Sequence, residues 1–139
     1  MNKEIVQEQA LFDQVKQNLE AHYPTGWGGS AGVLLEDGSI LTSISPDFPN
    51  AASSVCMELG SYLQAANLNK KITHSLCLVR ENEKSAFQVL TPCGICQERL
   101  NFWGDQVLCA VEIDKHHSVQ YLPLKELQPH HWLNVYREQ

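Results

Sequence analysis

Between residues 3 and 22, apolar side chains fall at Ile5, Val6, Leu11, Phe12, Val15 and Leu19. That spacing follows the 3.6-residue period of a helix with one buried face, and Tyr23-Pro24 ends it. TGWGGS is a glycine-rich loop. SAGVLLEDGSILTSI then predicts two strands joined by a turn at Asp37-Gly38. SPDFPNAASS reads as a loop, with Ser53 and Ser54 as candidate caps for a helix over 55–67. HSLCLV predicts a short buried strand, ENEK a turn and AFQVL another strand. Pro92 precedes a helix over roughly 93–102 that Gly104 closes. QVLCAVEI and SVQYL predict two further strands, and a helical tail follows over 123–133. The order α-β-β-α-β-β-α-β-β-α implies an α/β architecture, a sheet with helices on both faces.

Composition narrows the class. The 139 residues suit a single domain, 1–139, and contain no repeat, low-complexity tract or linker. Hydrophobic residues at 43% and charged residues at 19% exclude a disordered chain. A domain of this length buries roughly two-thirds of its unfolded surface and needs no disulfide staples. The formal net charge is -6, and the densest cationic cluster is Lys70-Lys71. Phosphate polymers are held by clustered cations, so a nucleic acid is not the expected partner. A neutral or cationic small molecule fits better. MNKEIVQEQALFDQVK carries charges throughout and lacks the apolar run of a signal peptide. No stretch approaches the roughly 20 apolar residues of a membrane span. The expectation is a cytoplasmic protein with no membrane partner. Its five cysteines stay reduced there, available as metal ligands or catalytic thiols.

The chemistry concentrates in two short stretches, VCMELGS and TPCGICQERL. Cys93 and Cys96 stand three apart at a helix start, which puts both sulfurs on one side. Two such thiolates can hold one face of a tetrahedral zinc at about 2.3 Å. Cys56 falls where the preceding helix is expected to begin, so both helix N-termini point at one spot, where their partial positive charge favours thiolates. Three protein ligands leave a fourth position open for water. Glu58, two residues past Cys56, can take a proton from that water and pass it to a leaving group. Taken alone, CxxC is equally a redox pair or half of another zinc site, and a helical Glu is usually solvated. Together, C-x-E followed by P-C-x-x-C is the three-cysteine variant of the zinc deaminase signature.

With those residues in place, the sequence resembles the small cytidine deaminases over most of its length. The likeness rests on the Trp27–Gly38 strand, the loop before Cys56, CMEL, TPCGICQERL and the tail LPLKELQPHHW. It implies a three-layer α-β-α fold around a mixed five-stranded sheet. It also implies one zinc per subunit on Cys56, Cys93 and Cys96, and Glu58 as catalytic proton shuttle. The assembly it implies is a homotetramer (a dimer is the smaller option) whose sites are completed by neighbouring subunits. In the same way it marks Trp27, Ser45, Asp47, Met57 and Trp132 as substrate-binding positions. Backbone groups around Met57 and Pro92 would orient the exocyclic amine. Trp132 corresponds to a tail aromatic that reaches a neighbour's site.

Two departures stand out. The family's C-A-E-R is here Cys56-Met57-Glu58-Leu59, without the Arg that offsets the charge of zinc with three thiolates. Arg99 or helix dipoles are the remaining sources of positive charge, and blasticidin S deaminases also carry Leu at this place. The family's ribose-holding N-x-E falls on Ser45 and Asp47, which keep hydrogen-bonding ability but are shorter. The bland reading of Trp27 and Trp132 is a core or surface anchor. His116-His117 and His130-His131 are adjacent pairs whose rings diverge, which argues against a metal role, although His131 sits beside Trp132. Cys77 and Cys109 lie in apolar strands and read as buried fillers.

The expected function is zinc-dependent hydrolytic deamination of cytidine, deoxycytidine or a related 4-aminopyrimidine nucleoside. The alternatives are deamination of blasticidin S or a modified cytosine, a zinc-stabilised fold without activity, and a thiol redox protein using Cys93 and Cys96.

Overall fold

The computed structural model describes residues 2–137. Helix α1 (Lys3–His22) is capped by Asn2, whose side chain accepts from the Glu4 amide, and leads into β1 (Gly28–Leu35) and β2 (Ile40–Ser43). A short 3-10 turn (Ala51–Ser53) precedes α2 (Leu59–Asn67) and β3 (Ile72–Arg80). Then come β4 (Gln88–Val89), α3 (Gly94–Leu100), β5 (Leu108–Ile113), β6 (Val119–Pro123), α4 (Leu124–Leu127) and α5 (Asn134–Arg137).

The strands form one mixed sheet in the order β2-β1-β3-β5-β6, with β4 added beside β3. The continuous path has the five strands implied by the resemblance. The two residues of β4, paired antiparallel with Leu78 and Val79, make the sixth. Among the described residues, only β3 and β5 are hydrogen-bonded in parallel. Because β2 and β3 each run antiparallel to β1, they run the same way, and α2 is the crossover between them.

Alternation along β1, Leu34 against Val33 and Leu35, separates two cores. Leu34 packs with Leu76, Leu78 and Ala110 against α1, where Leu11, Phe12, Val15 and Leu19 are buried. On the other face Tyr62 and Ala65 of α2 and Cys96 and Leu100 of α3 pack with Val33, Leu35, Ile72 and Cys109. Helices therefore cover both faces, as expected. Cys77 and Cys109 are buried fillers, 4% and 0% exposed. A hydrogen bond between His74 Nε2 and Glu8 Oε2, 2.9 Å, ties α1 to the sheet.

Three local expectations are corrected. The helix predicted over 55–67 starts at Leu59, so Cys56 stands ahead of it and neither Ser53 nor Ser54 caps it. Leu59 N bonds the Cys56 carbonyl at 3.1 Å in a tighter turn, and Ser43 of β2 bonds the Met57 carbonyl, so the α-helical bonding begins at Glu58. The AFQVL strand shrinks to Gln88–Val89. The tail splits into α4 and α5, because Pro129 disfavours helical dihedrals at Gln128, which adopts φ -133 and ψ 60.

Candidate active site

Cys93 occupies the N-cap position of α3 in an extended conformation, and Cys96 follows in the first turn. Cys56 reaches them from the loop ahead of α2. The Sγ atoms of Cys56 and Cys93 are 3.5 Å apart, and all three sulfurs lie within 4.8 Å of one another. Two thiolates on a tetrahedral zinc stand about 3.8 Å apart, so this donor set fits such an ion. The Cys96 amide and, further down, the Cys56 thiol and Ile95 amide lower the pKa of Cys93, with burial opposing them. Burial and the charge of Glu58 push the Cys96 thiol well up, a cost that a bound cation would offset.

Glu58 stands at the N-cap position of α2 and is 6% exposed. Burial raises its pKa, against its own backbone amide and the charge of Arg99. Its charge in turn helps hold up the pKa of Cys77 and of Cys109, at about 12, behind burial as the main cause. The acid thus faces the inner strands rather than solvent, which corrects the default picture of a solvated helical Glu.

The place of the missing positive charge is also visible. Arg99 Nη1 lies 3.7 Å from Cys96 Sγ. Burial opposes the Arg99 charge, but the sulfurs of Cys96 and Cys56 outweigh it and raise its pKa. One turn along α3, this guanidinium is a positive charge beside the sulfurs, where Leu59 carries none.

Trp27 is 53% exposed and meets Tyr23 edge-on, with centroids 5.6 Å apart. Its ring converges with Met57 above Gly29. A Cβ on Gly29 would lie 2.7 Å from Met57 Sδ and 2.9 Å from Trp27 Cη2, so only glycine admits both. Arg80, 4% exposed, donates to the Tyr23 carbonyl, and Glu83 accepts from the Gly26 amide at 2.7 Å. Both hold the loop that carries Trp27.

Ser45 Oγ donates to the Val55 carbonyl at 2.7 Å, next to Cys56, leaving its lone pairs as acceptors. Asp47 is exposed on the same loop. The Met57 carbonyl accepts from Ser43 Oγ at 2.6 Å, and the Pro92 carbonyl from Gln97 Nε2 at 2.7 Å. Each keeps one lone pair for another donor. Trp132 is 62% exposed, and its Nε1 donates to Glu98 Oε1 at 3.1 Å. His131 Nε2 meets the other oxygen of Glu98 at 2.9 Å. The tail is thereby fastened to α3 of its own chain, two residues past Cys96.

The fold thus gathers Cys56, Cys93, Cys96, Glu58 and Arg99, with Trp27 and Met57 meeting over Gly29. Residue patterns missed Ser43, Gly29, Arg80 and Glu83. Each acts across a strand pairing or a loop and carries no local signature.

No family model and no curated protein sequence matches the chain. Solved structures do. The cytidine deaminase from Bacillus anthracis is 51% identical, with a TM-score of 0.88 over 94% of this chain and 93% of that one. The cytidine deaminase from Burkholderia pseudomallei shares the fold at 16% identity and a TM-score of 0.66, over 95% of this chain and 100% of that one. The cytidine deaminase from Mycobacterium tuberculosis does so at 17% and 0.62, over 87% of this chain and 96% of that one. The chain belongs to the cytidine deaminase family.

Proposed function

We propose that the protein is a zinc-dependent hydrolytic deaminase that converts cytidine, deoxycytidine or a related 4-aminopyrimidine nucleoside to the uridine-type product and ammonia. The observation that carries this reading is the cluster of three sulfurs within 4.8 Å beside a Glu58 that is 6% exposed. A purely structural zinc site uses four protein ligands and has no need of a buried acid.

Cys56, Cys93 and Cys96 would hold the ion, which supplies Lewis acidity that lowers the pKa of a water at its open corner. Arg99 offsets the surplus thiolate charge. Glu58 takes a proton from the water and delivers it to N3 of the pyrimidine, making C4 electrophilic. The water oxygen adds to C4. Glu58 then carries the second proton to the exocyclic amine, and ammonia leaves as the C4 carbonyl forms. A carboxylate whose pKa is raised by burial holds each proton more firmly between the two transfers. Trp27 and Met57 offer an apolar wall to a planar ring, and the acceptor oxygens of Ser45 and Asp47 suit ribose hydroxyls.

The reading extends to a homotetramer in a reducing, cytoplasmic setting. Leu63, Ile95 and Phe102, on α2, α3 and the turn after it, are 60%, 60% and 75% exposed, large apolar side chains that a second copy would cover. All five cysteines are free thiols. Among the described residues, no helix is long and apolar enough to cross a membrane.

The test is ammonia release by zinc-loaded protein from cytidine, deoxycytidine, cytosine and blasticidin S. Turnover of the nucleosides is expected, and Glu58→Gln should retain zinc while losing at least about 100-fold in kcat. Robust turnover by Glu58→Gln, or turnover of blasticidin S alone, would overturn the assignment.

A further inference from the structure

Just ahead of α2 the backbone closes a tight turn from Leu59 N to Cys56 O, 3.1 Å, but one helical bond is missing at the helix start. In an uninterrupted helix the Ser61 amide would donate to the Met57 carbonyl four residues back. Here Ser61 N–H donates to Ser43 Oγ at 3.1 Å, and Ser43 Oγ donates its hydrogen to the Met57 carbonyl at 2.6 Å. A hydroxyl from the last residue of β2 is spliced between the two ends of a helical bond. Ser61 Oγ lies 2.7 Å from the same oxygen and completes the node. Gly60 makes the approach possible, since a Cβ there would lie 2.9 Å from Ser43 Cβ. The first closed helical bond becomes Tyr62 N to Glu58 O, 3.0 Å.

We propose that Ser43 is a positioning residue for Glu58: its hydroxyl unwinds the start of α2 and fixes the Met57–Glu58 turn against the sheet. The inference rests on the deaminase reading for its catalytic consequence. The geometry behind it is independent of substrate. Ser43 is paired with Ala31 of β1, so one oxygen links the rigid sheet to the peptide that aims the carboxylate. Without the hydroxyl, the Met57 carbonyl and Ser61 amide are free to bond directly, which winds the helix back toward Cys56 and rotates Glu58. A displacement near 1 Å at a proton-transfer group costs about 100-fold in rate.

Ser43→Ala is the direct test. Zinc content is expected to stay at one per chain, kcat to fall about 10- to 100-fold and KM to change less than about threefold. Ser43→Thr keeps the hydroxyl and should recover kcat to within a few-fold. Gly60→Ala approaches the node from the other side: its Cβ would stand 2.9 Å from Ser43 Cβ and displace it, so kcat should fall while zinc content is kept. In the Glu58→Gln background, Ser43→Ala should cost nothing further.

A readout free of turnover comes from the methyl resonance of Met57, since the chain has only two methionines. In zinc-loaded protein labelled at the methionine methyls, that resonance should move in Ser43→Ala and return in Ser43→Thr. An inactive wild-type protein would sink the deaminase reading and leave this measurement to decide the turn geometry. An unmoved Met57 methyl, or full kcat in Ser43→Ala, would overturn the role of Ser43.

Discussion

Arg99 Nη1 stands 3.7 Å from Cys96 Sγ, one turn along the helix whose start presents two of the three sulfurs. In the proposed zinc site, the charge that the sequence lacks after Glu58 would come from α3 instead of α2. Replacing Arg99 by Gln should weaken zinc binding about 10-fold and lower kcat by a similar factor, since outer partners of metal ligands carry effects of this size. Competition with a chromophoric chelator reads the first and steady-state kinetics the second. Leu59→Arg added to the Gln variant tests whether the charge can be moved back to α2, with partial recovery of zinc affinity expected.

With zinc bound as proposed, metal removal should loosen the contact between the loop ahead of α2 and the start of α3, because three sulfurs within 4.8 Å would lose the cation joining them. Zinc at 100 times its Kd would add about 2.7 kcal/mol to stability. A strong chelator should therefore lower the melting temperature, and added zinc should restore it. Calorimetry with and without chelator makes the comparison. An unchanged melting temperature would argue against metal at this cluster.

Acid should release the Trp27 loop. The Gly26 amide, ahead of its own backbone amide, lowers the pKa of Glu83 below the ordinary 4.5. A depressed carboxylate favours the folded loop above pH 4.5, and that contribution fades as the pH falls through the folded-state value. Trp27 fluorescence, in a Trp103→Phe/Trp132→Phe background, should change on acidification below pH 4.5. Glu83→Gln should shift the spectrum already at pH 7 and remove most of the pH response.

Assembly should depend on the apolar face of α2 and α3. Phe102→Lys or Leu63→Glu puts charge where a second copy is proposed to pack, while both side chains are 60% or more exposed in the single chain. The mass from light scattering should fall below that of a tetramer with the monomer fold retained. A wild-type protein that is already monomeric at micromolar concentration would end the proposal.

Periodicity carried most of the fold. The α1 stripe of Leu11, Phe12, Val15 and Leu19 and the apolar run of β3 are each legible in isolation, because burial of one face imposes a fixed spacing. The Asp37-Gly38 turn is equally local, with Gly38 at φ +88. Boundaries were less legible where a distant group intervenes. The start of α2 moved from 55 to Leu59: Leu59 N closes a tighter turn on the Cys56 carbonyl, and Ser43, 14 residues before Met57, bonds the Met57 carbonyl.

The amino-acid sequence by itself determined the cysteine and glutamate signature, the helix and strand order and the two-sided sheet. These depend on spacing and on which side chains avoid water. Only the tertiary structure decided that Arg99 lies beside Cys96, that Glu58 is buried, and that Trp27 and Met57 meet over Gly29. Such relations join groups far apart in the chain, and their distances follow from strand pairing and helix packing rather than from any local preference.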